Sequence, residues 1–392
     1  MSNPEPVADP GHVGLREIVR EWGRIGCTGF GGPPTHIALL RRLCVNDRRW
    51  MGATDFEDAV AACNLLPGPA STQLAIYCAW RLRGRAGALV GGAGFILPGF
   101  ALILALSALF LAGSPPLWVK GASAGAGAAV AAVAVQAGSS LAPASWRRMQ
   151  DSGRARWVLY LVAGGAAAAT LGPWLVLILL GCGALELLAK QLVRRDPPLA
   201  GVAPVFLLGT AVAVGGLASL VWVAFKVGAL SYGGGFVIIP IMQADVVHHY
   251  HWMTNGGFLN AVALGQITPG PVVLTVAVVG YAAAGVGGAA LATVVAFSPS
   301  FLFILLGGSR FDRLRRDVRA RTFLDGAGPA AIGAIFGAAI PLARALAEPW
   351  QFAVLGGAAV LLLVARRGVV VTLLAAAGVG ILVAVAGGPL PR

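Results

Sequence analysis

"FGGPPTHIALL" fills residues 30–40 and "YGGGFVIIPIM" fills residues 232–242. Each sets a cluster of helix-breaking residues inside chain that is otherwise apolar enough to cross a bilayer. In a helix interior glycine costs about 1 kcal/mol and proline about 3 kcal/mol relative to alanine. Two such breaks 202 residues apart, in nearly the same letters, point to one unit used twice.

Shifting residues 24–77 by that offset brings more anchors together. Arg24 meets Lys226, Gly26 meets Gly228, and Phe30-Gly31-Gly32 meets Tyr232-Gly233-Gly234. Trp50-Met51 meets Trp252-Met253, Asn64 meets Gln266, and Pro67-Gly68-Pro69 meets Pro269-Gly270-Pro271. After a one-residue slip Gly84 pairs with Gly285, Pro98 with Pro299 and Phe100 with Phe301. The chain therefore divides into two homologous halves, expected at residues 1–200 and 201–392.

Composition places both halves in a membrane. Of 392 residues 57% are hydrophobic and only 11% charged, with mean hydropathy +0.80, whereas soluble domains carry about 25% charged residues. Apolar runs at 86–111, 119–141, 157–171, 174–188, 202–225, 286–306 and 352–364 are the candidate spans, and helices are expected because backbone groups in lipid must be satisfied within their own segment. The net charge of +13 does not indicate nucleic acid, because the basic residues gather in short loops between apolar runs. Five cysteines without a CxxC pair read as small hydrophobes. The N-terminus lacks the order of a cleaved signal peptide.

Charge also orients the halves. Arg41, Arg42, Arg48, Arg49, Arg81, Arg83 and Arg85 decorate half one, while the matching stretch 243–288 has no Lys or Arg. Further on the bias reverses. Arg310, Arg313, Arg315, Arg316, Arg319 and Arg321 follow the Pro299 span, but the loop after the Pro98 span holds only Lys120. Basic loops stay cytoplasmic, so equivalent loops lie on opposite sides. The expected fold is an all-α polytopic membrane protein of two halves in inverted topology, with broken or re-entrant helices.

The breaks are where chemistry is expected. Gly31-Gly32-Pro33 and Gly233-Gly234-Gly235 form one matched pair, and Pro67-Gly68-Pro69 and Pro269-Gly270-Pro271 the other. A helix restarting in the membrane presents free N–H groups and the positive end of its dipole, which suits an anion; proline is at home in its first turn. Glycines that merely let helices pack closely are the alternative, but four breaks in two matched pairs favour the anion. Whether residues 15–45 and 204–247 are broken spans or hairpins stays open. Arg24 and Lys226, equivalent and cationic, would attract a dianion or snorkel to the interface. Asn64, Ser71, Thr72, Gln73, Gln266, Thr268 and Thr275 would supply neutral donors. Among the carboxylates, Glu186 is expected to pair with Lys190, and Asp245 is the better-placed proton carrier. "DVVHHYHW" (245–252) has no closed metal-site spacing, and no nucleotide, zinc-protease or hydrolase motif occurs. No enzyme activity, metal or cofactor is expected.

With "FGGPPTHIALL", "LLPGPASTQLAIY", "SYGGGFVIIPIMQADVV" and "AVALGQITPGPVVLT" in view, the chain resembles the chromate ion transporter family in its long-chain, two-domain form. The likeness is tightest over residues 15–110 and 216–310. It implies a bacterial inner-membrane protein that exports chromate using the proton gradient, with sulfate as the isosteric competitor. Another oxyanion carrier and an anion channel are the alternatives within transport; a membrane enzyme or anchor would need a cytoplasmic domain or catalytic constellation. The expected partners are the oxyanion, the bilayer and, for a homodimer, a second copy.

Overall fold

The computed structural model describes residues 13–64, 66–111, 115–149, 153–170, 175–194, 216–231, 237–307 and 317–391. Gly233, Gly234 and Gly235, the arginine run 310–316 and the expected boundary near residue 200 lie outside them. Among the described residues there are helices and turns but no strand.

Helix α1 (Leu15–Thr28) is amphipathic, burying Ile18, Trp22 and Ile25 and exposing Arg16, Arg20 and Arg24. Helix α2 (Pro33–Arg41) starts with Pro33 and Pro34 in its first turn, where their missing N–H groups cost nothing. It runs on into a π-helical turn, Arg42–Asp47. Arg48, just beyond that turn, pairs with Glu17 at 3.3 Å and Glu21 at 2.9 Å. The start of α1 and the end of α2 therefore share one base. Residues 15–47 form a re-entrant hairpin with Gly31-Gly32 near its tip.

The next pair repeats the design. Helix α3 (Ala53–Cys63) enters, and α4 (Ala70–Phe110) leaves the Pro67-Gly68-Pro69 tip. Arg81 lies 3.9 Å from Asp55, so residues 70–82 return to the level at which α3 began. The long α4 is not one rod. Arg83 (φ −142°, ψ 30°) and Gly84 (φ 55°, ψ −143°) reverse the chain, and a Cβ on Gly87 or Gly91 would collide with Ala79. Residues 85–110 thus fold back along 70–82 and form the spanning arm. Trp22 anchors α1 to this unit, its Nε1–H donating to the Ala75 carbonyl at 2.8 Å.

Half two repeats half one in register. Helix α8 (Leu217–Leu230), α9 (Ile238–Gln243), the π-turn Ala244–His249 and α10 (Asn255–Ile267) all begin 202 residues after α1, the main part of α2, its π-turn and α3, α9 excepted. α9 is described from Ile238 onward. A 3-10 turn, Val272–Leu274, then leads into α11 (Thr275–Gly307). Its β-branched "VVLT" restarts less readily as an α-helix than "ASTQ" in half one. Ala284 (φ −153°, ψ 30°) and Gly285 (φ 62°, ψ −152°) reproduce the reversal at Arg83 and Gly84 after the one-residue slip. Gly68 (φ 117°) and Gly270 (φ 97°) match at the tips, and Arg49 (φ 52°) and His251 (φ 53°) match beyond the π-turns.

The inversion is visible where the two arms cross. A Cβ on Gly92 would strike the Phe301 ring. In a parallel pair Gly92 would meet its own equivalent, Thr293, which lies about 12 Å along the helix from Phe301. The arms 85–110 and 286–307 cross antiparallel.

Around them stand α5 (Leu117–Arg148), α6 (Arg154–Thr170) and α7 (Leu175–Arg194) from half one. Half two contributes α12 (Val318–Arg344), α13 (Pro349–Ala359), which continues as the π-turn Val360–Val364, and α14 (Val369–Val385). Packing is exchanged between halves: α12 lies on α6 and α7, while α5 lies on α13 and α14. Gly121 and Gly125 meet Gly380 and Ala376 so closely that a Cβ would clash, as expected where van der Waals contact rather than water drives association. α4, α5, α11 with its lead-in and α12 are long and apolar enough to cross a membrane. The described residues of the runs at 86–111, 119–141, 157–171, 174–188, 286–306 and 352–364 fall almost wholly on helices; most of 202–225 lies outside the described residues. α14 was absent from the expected spans, although residues 369–385 carry no charge.

Glu186 pairs with Lys190 as expected, but not most closely. Its main partner is Arg156, which donates from Nε at 2.9 Å and from a terminal nitrogen at 3.2 Å, with Tyr160 Oη donating at 3.2 Å. Lys190 is 3.9 Å away and turns to Asp325 at 2.8 Å. A planar guanidinium matches both carboxylate oxygens where an ammonium cannot. The cluster joins α6, α7 and α12.

Candidate functional site

The hairpin tips of opposite halves touch. The Gly29 carbonyl accepts the Gly270 N–H at 3.1 Å and faces His36 Nε2 at 2.9 Å. An imidazole nitrogen facing a carbonyl must carry the proton, so Nε2–H donates. Nδ1 then faces the Ser71 hydroxyl at 3.2 Å. His36 is fully buried and ties the first tip to the half-helix that leaves the second. Gly32 (φ 75°) lies beside Val272, and Gly31 (φ 101°) precedes it. Gly68 approaches the Gly228 carbonyl and the Ser300 hydroxyl, and the equivalent Gly99 approaches the Pro269 carbonyl. A break in one half is thus seated against the other half twice over, as a two-fold relation requires. Pro33, Pro67, Pro69, Pro269 and Pro271 belong to these tips, and Gly233, Gly234 and Gly235 lie outside the described residues.

Several polar atoms converge here without a hydrogen-bond partner among the described residues. Thr72 Oγ1, Gln73 Oε1, Gln266 Nε2, Ser231 Oγ and Ser300 Oγ are all buried in this state. Each such atom costs about 1–3 kcal/mol, so their concentration around the breaks is what a polar ligand's site would show. Other expected donors are committed elsewhere. Thr268 Oγ1–H donates to the Leu264 carbonyl at 2.9 Å and Thr275 Oγ1–H to Val272 at 2.8 Å, so neither has a proton left for an anion. Gln73 Nε2 donates to the Pro67 carbonyl at 2.7 Å. His36, Ser231 and Ser300 went unnoticed in the sequence. The available signal was a lone histidine just after the glycine–proline cluster and, for Ser300, a hydroxyl where half one has Gly99.

The paired cations do not stand free. Lys226 Nζ meets Asp245 Oδ2 at 2.5 Å and lies 5.6 Å from the Trp222 ring centre. Arg24 lies 3.1 Å from Glu21 Oε2, with its side chain 62% exposed. Both matched cations are therefore paired in this state. Lys226, largely buried, takes the nearest carboxylate, whereas Arg24 pairs on the exposed face of its own helix. Those carboxylates are not equivalent: Glu21 sits on the same helix as Arg24, whereas Asp245 comes from the π-turn across the hairpin.

The second breaks also differ in burial. Asn64 and Pro67 are exposed, while Gln266, Thr268 and Pro269 are buried. Helix α10 packs on α5 and α14, but α3 makes no comparable contact with α12 or α7.

Comparison with known proteins agrees with this layout. A family model described as "Chromate transporter" matches residues 16–187 and 218–381, one segment in each half. The chain is 34% identical to a chromate transport protein of Cupriavidus metallidurans, over 84% of this chain and 83% of that one. It is 31% identical to a chromate transport protein of Pseudomonas aeruginosa, over 88% of this chain and 83% of the relative. A probable chromate transport protein of Synechococcus elongatus is 29% identical over 84% of this chain and 85% of its own. No solved structure matches.

Proposed function

Because the chain belongs to the chromate transporter family, we propose that it exports chromate across the bacterial plasma membrane as a secondary transporter driven by the proton gradient. The observation that carries this reading is the meeting of broken-helix tips from two inverted halves around buried, unpartnered polar atoms. Backbone N–H groups at such tips bind a tetrahedral oxyanion without bringing a counter-charge into lipid. We assign residues 1–200 and 201–392 to the two repeats, and the substrate contacts to the tips around Gly31-Gly32, Gly68 and Gly270 together with the residues Gly233, Gly234 and Gly235. A homodimer is compatible with this arrangement.

The electrical part of the driving force acts on the substrate directly. Each elementary charge gains about 2.3 kcal/mol per 100 mV, so an inside-negative potential pushes a dianion outward. Transport proceeds by alternating access: α3 moves onto α12 as α10 leaves α5, so that the two halves exchange packing. The sealed tip of half two favours this over a continuous channel. Sulfate has the same shape and charge and is the second reading. Counterflow of labelled chromate and labelled sulfate in proteoliposomes, with and without a pH gradient, tests the proposal. Chromate counterflow accelerated by the gradient supports it; sulfate-only counterflow moves the assignment to sulfate, and flux of neither overturns it.

A further inference from the structure

Over residues 216–307 of the sequence Lys226 and Asp245 are the only Lys, Arg, Asp or Glu residues, and they are joined to each other. Their side chains are 17% and 7% exposed. A buried ion pair is often no more stable than apolar residues of the same size, so stability alone does not account for it. Its position suggests a use. Lys226 lies on α8 two residues before Gly228, whose carbonyl faces Gly68 at the second tip of half one. It lies about 7–8 Å along the axis from Ser231, whose buried hydroxyl lacks a partner among the described residues. In this state the lysine arm points the other way, over Trp222 one turn back, where Asp245 holds it. Asp245 is delivered by the π-turn Ala244–His249, a distortion that often marks functional positions; the equivalent π-turn residue of half one is Leu43.

We propose that Asp245 is a tethered stand-in for the transported anion. With the carrier empty, the Asp245 carboxylate occupies Lys226; an arriving oxyanion displaces it and takes Lys226 as its own counter-ion. No bond or proton changes hands, only the partner of one ammonium group. The device answers a specific difficulty of a dianion carrier. An unloaded protein with a bare lysine in the membrane interior would reorient slowly, because an unpaired charge there is costly. The tether neutralises Lys226 on the return stroke and gives way on loading. Asp245 is thus a positioning residue acting through Lys226, and the assignment rests on the oxyanion-transport reading above.

The test separates two fluxes in proteoliposomes holding the full chain. In exchange, labelled chromate (or sulfate) moves against the same anion on the far side, so the carrier always returns loaded. In net flux into anion-free buffer it must return empty. Asp245→Asn is expected to keep exchange, half-saturating at a lower anion concentration because the internal competitor is gone, and to slow net flux by about tenfold or more. Asp245→Glu, which restores the tether, should recover net flux. Equal loss of exchange and net flux in Asp245→Asn would overturn the assignment, because a merely structural pair cannot separate them. If Asp245→Asn does not fold, the double variant Lys226→Gln/Asp245→Asn, with no charge left to bury, decides the matter. It should lose exchange as well, and wild-type exchange by it would overturn the role of Lys226. Wild-type protein that moves neither anion would overturn the transport reading, and this assignment with it.

Discussion

Asn64 and Gln266 hold the same place in the two halves, three residues before their Pro-Gly-Pro tips, yet Asn64 is exposed and Gln266 is buried. The local backbone does not explain the difference. The π-turns begin at Arg42 and Ala244, the helices that follow at Ala53 and Asn255, and the reversals at Arg83 and Ala284 share their dihedral angles. What differs is the surroundings: α10 rests on α5 and α14, whereas α3 has no comparable seat on α12 or α7. One structural unit is therefore present in two packings within one molecule. For an inverted repeat this is the asymmetry that makes one side accessible and the other sealed.

The comparison can be broken first at the tips. Gly68 and Gly270 both hold φ values that side chains rarely adopt, a strain of about 1–3 kcal/mol for any other residue. At Gly68 a Cβ would also press on Gln73 Nε2, the Gly228 carbonyl and Ser300, while at Gly270 it would meet only ordinary contacts. Gly68→Leu should abolish chromate counterflow, and Gly270→Leu should reduce it severely with less loss of thermal stability. Wild-type counterflow by Gly68→Leu would remove the tips from the anion's path.

The cations come next. Lys226→Gln should weaken chromate binding by about 1–3 kcal/mol, the size of a charge-assisted contact. Arg24→Gln should have a much smaller effect, because Arg24 is largely solvated and shares Glu21 with Arg20 and Arg48. Isothermal binding on purified variants checks the ranking. Equal effects would mean that the two halves contribute alike despite their different carboxylates.

Much of this was legible in the letters. Matched Gly-Gly, Trp-Met and Pro-Gly-Pro anchors fixed the repeat, and the arginines at 41–49 and 81–85 fixed its inversion, because both are local patterns. The one-residue slip at Gly84 and Gly285 proved to be the reversal itself, with both glycines at positive φ. The hairpins were not legible, since closing them depends on Arg48 finding Glu17 and Arg81 finding Asp55 across dozens of residues. Asp245 stood out in the sequence as a proton carrier, but its pairing with Lys226, 19 residues away, depends in the same way on how the hairpin closes. The burial of Gln266 against the exposure of Asn64 depends on how α10 and α3 dock, which near-identical local sequences do not encode.

The smallest effect tests the asymmetry itself. In a background with all five native cysteines replaced, Asn64→Cys should react with a small thiol reagent about tenfold or more faster than Gln266→Cys, because the buried site must first open locally. Similar rates would mean that the two packings interconvert freely or do not differ.

The inverted repeat is the claim on which the rest stands, and the two reversals offer its most direct measurement. Arg83 and Ala284 are structural equivalents, and both are exposed. Arg83→Cys and Ala284→Cys, each in the cysteine-free background, would be treated with a membrane-impermeant thiol reagent in intact cells and again after the membrane is opened. Labelling of Ala284→Cys from outside, with Arg83→Cys labelled only after opening, is the predicted result. Labelling of both from the same side would contradict the inversion.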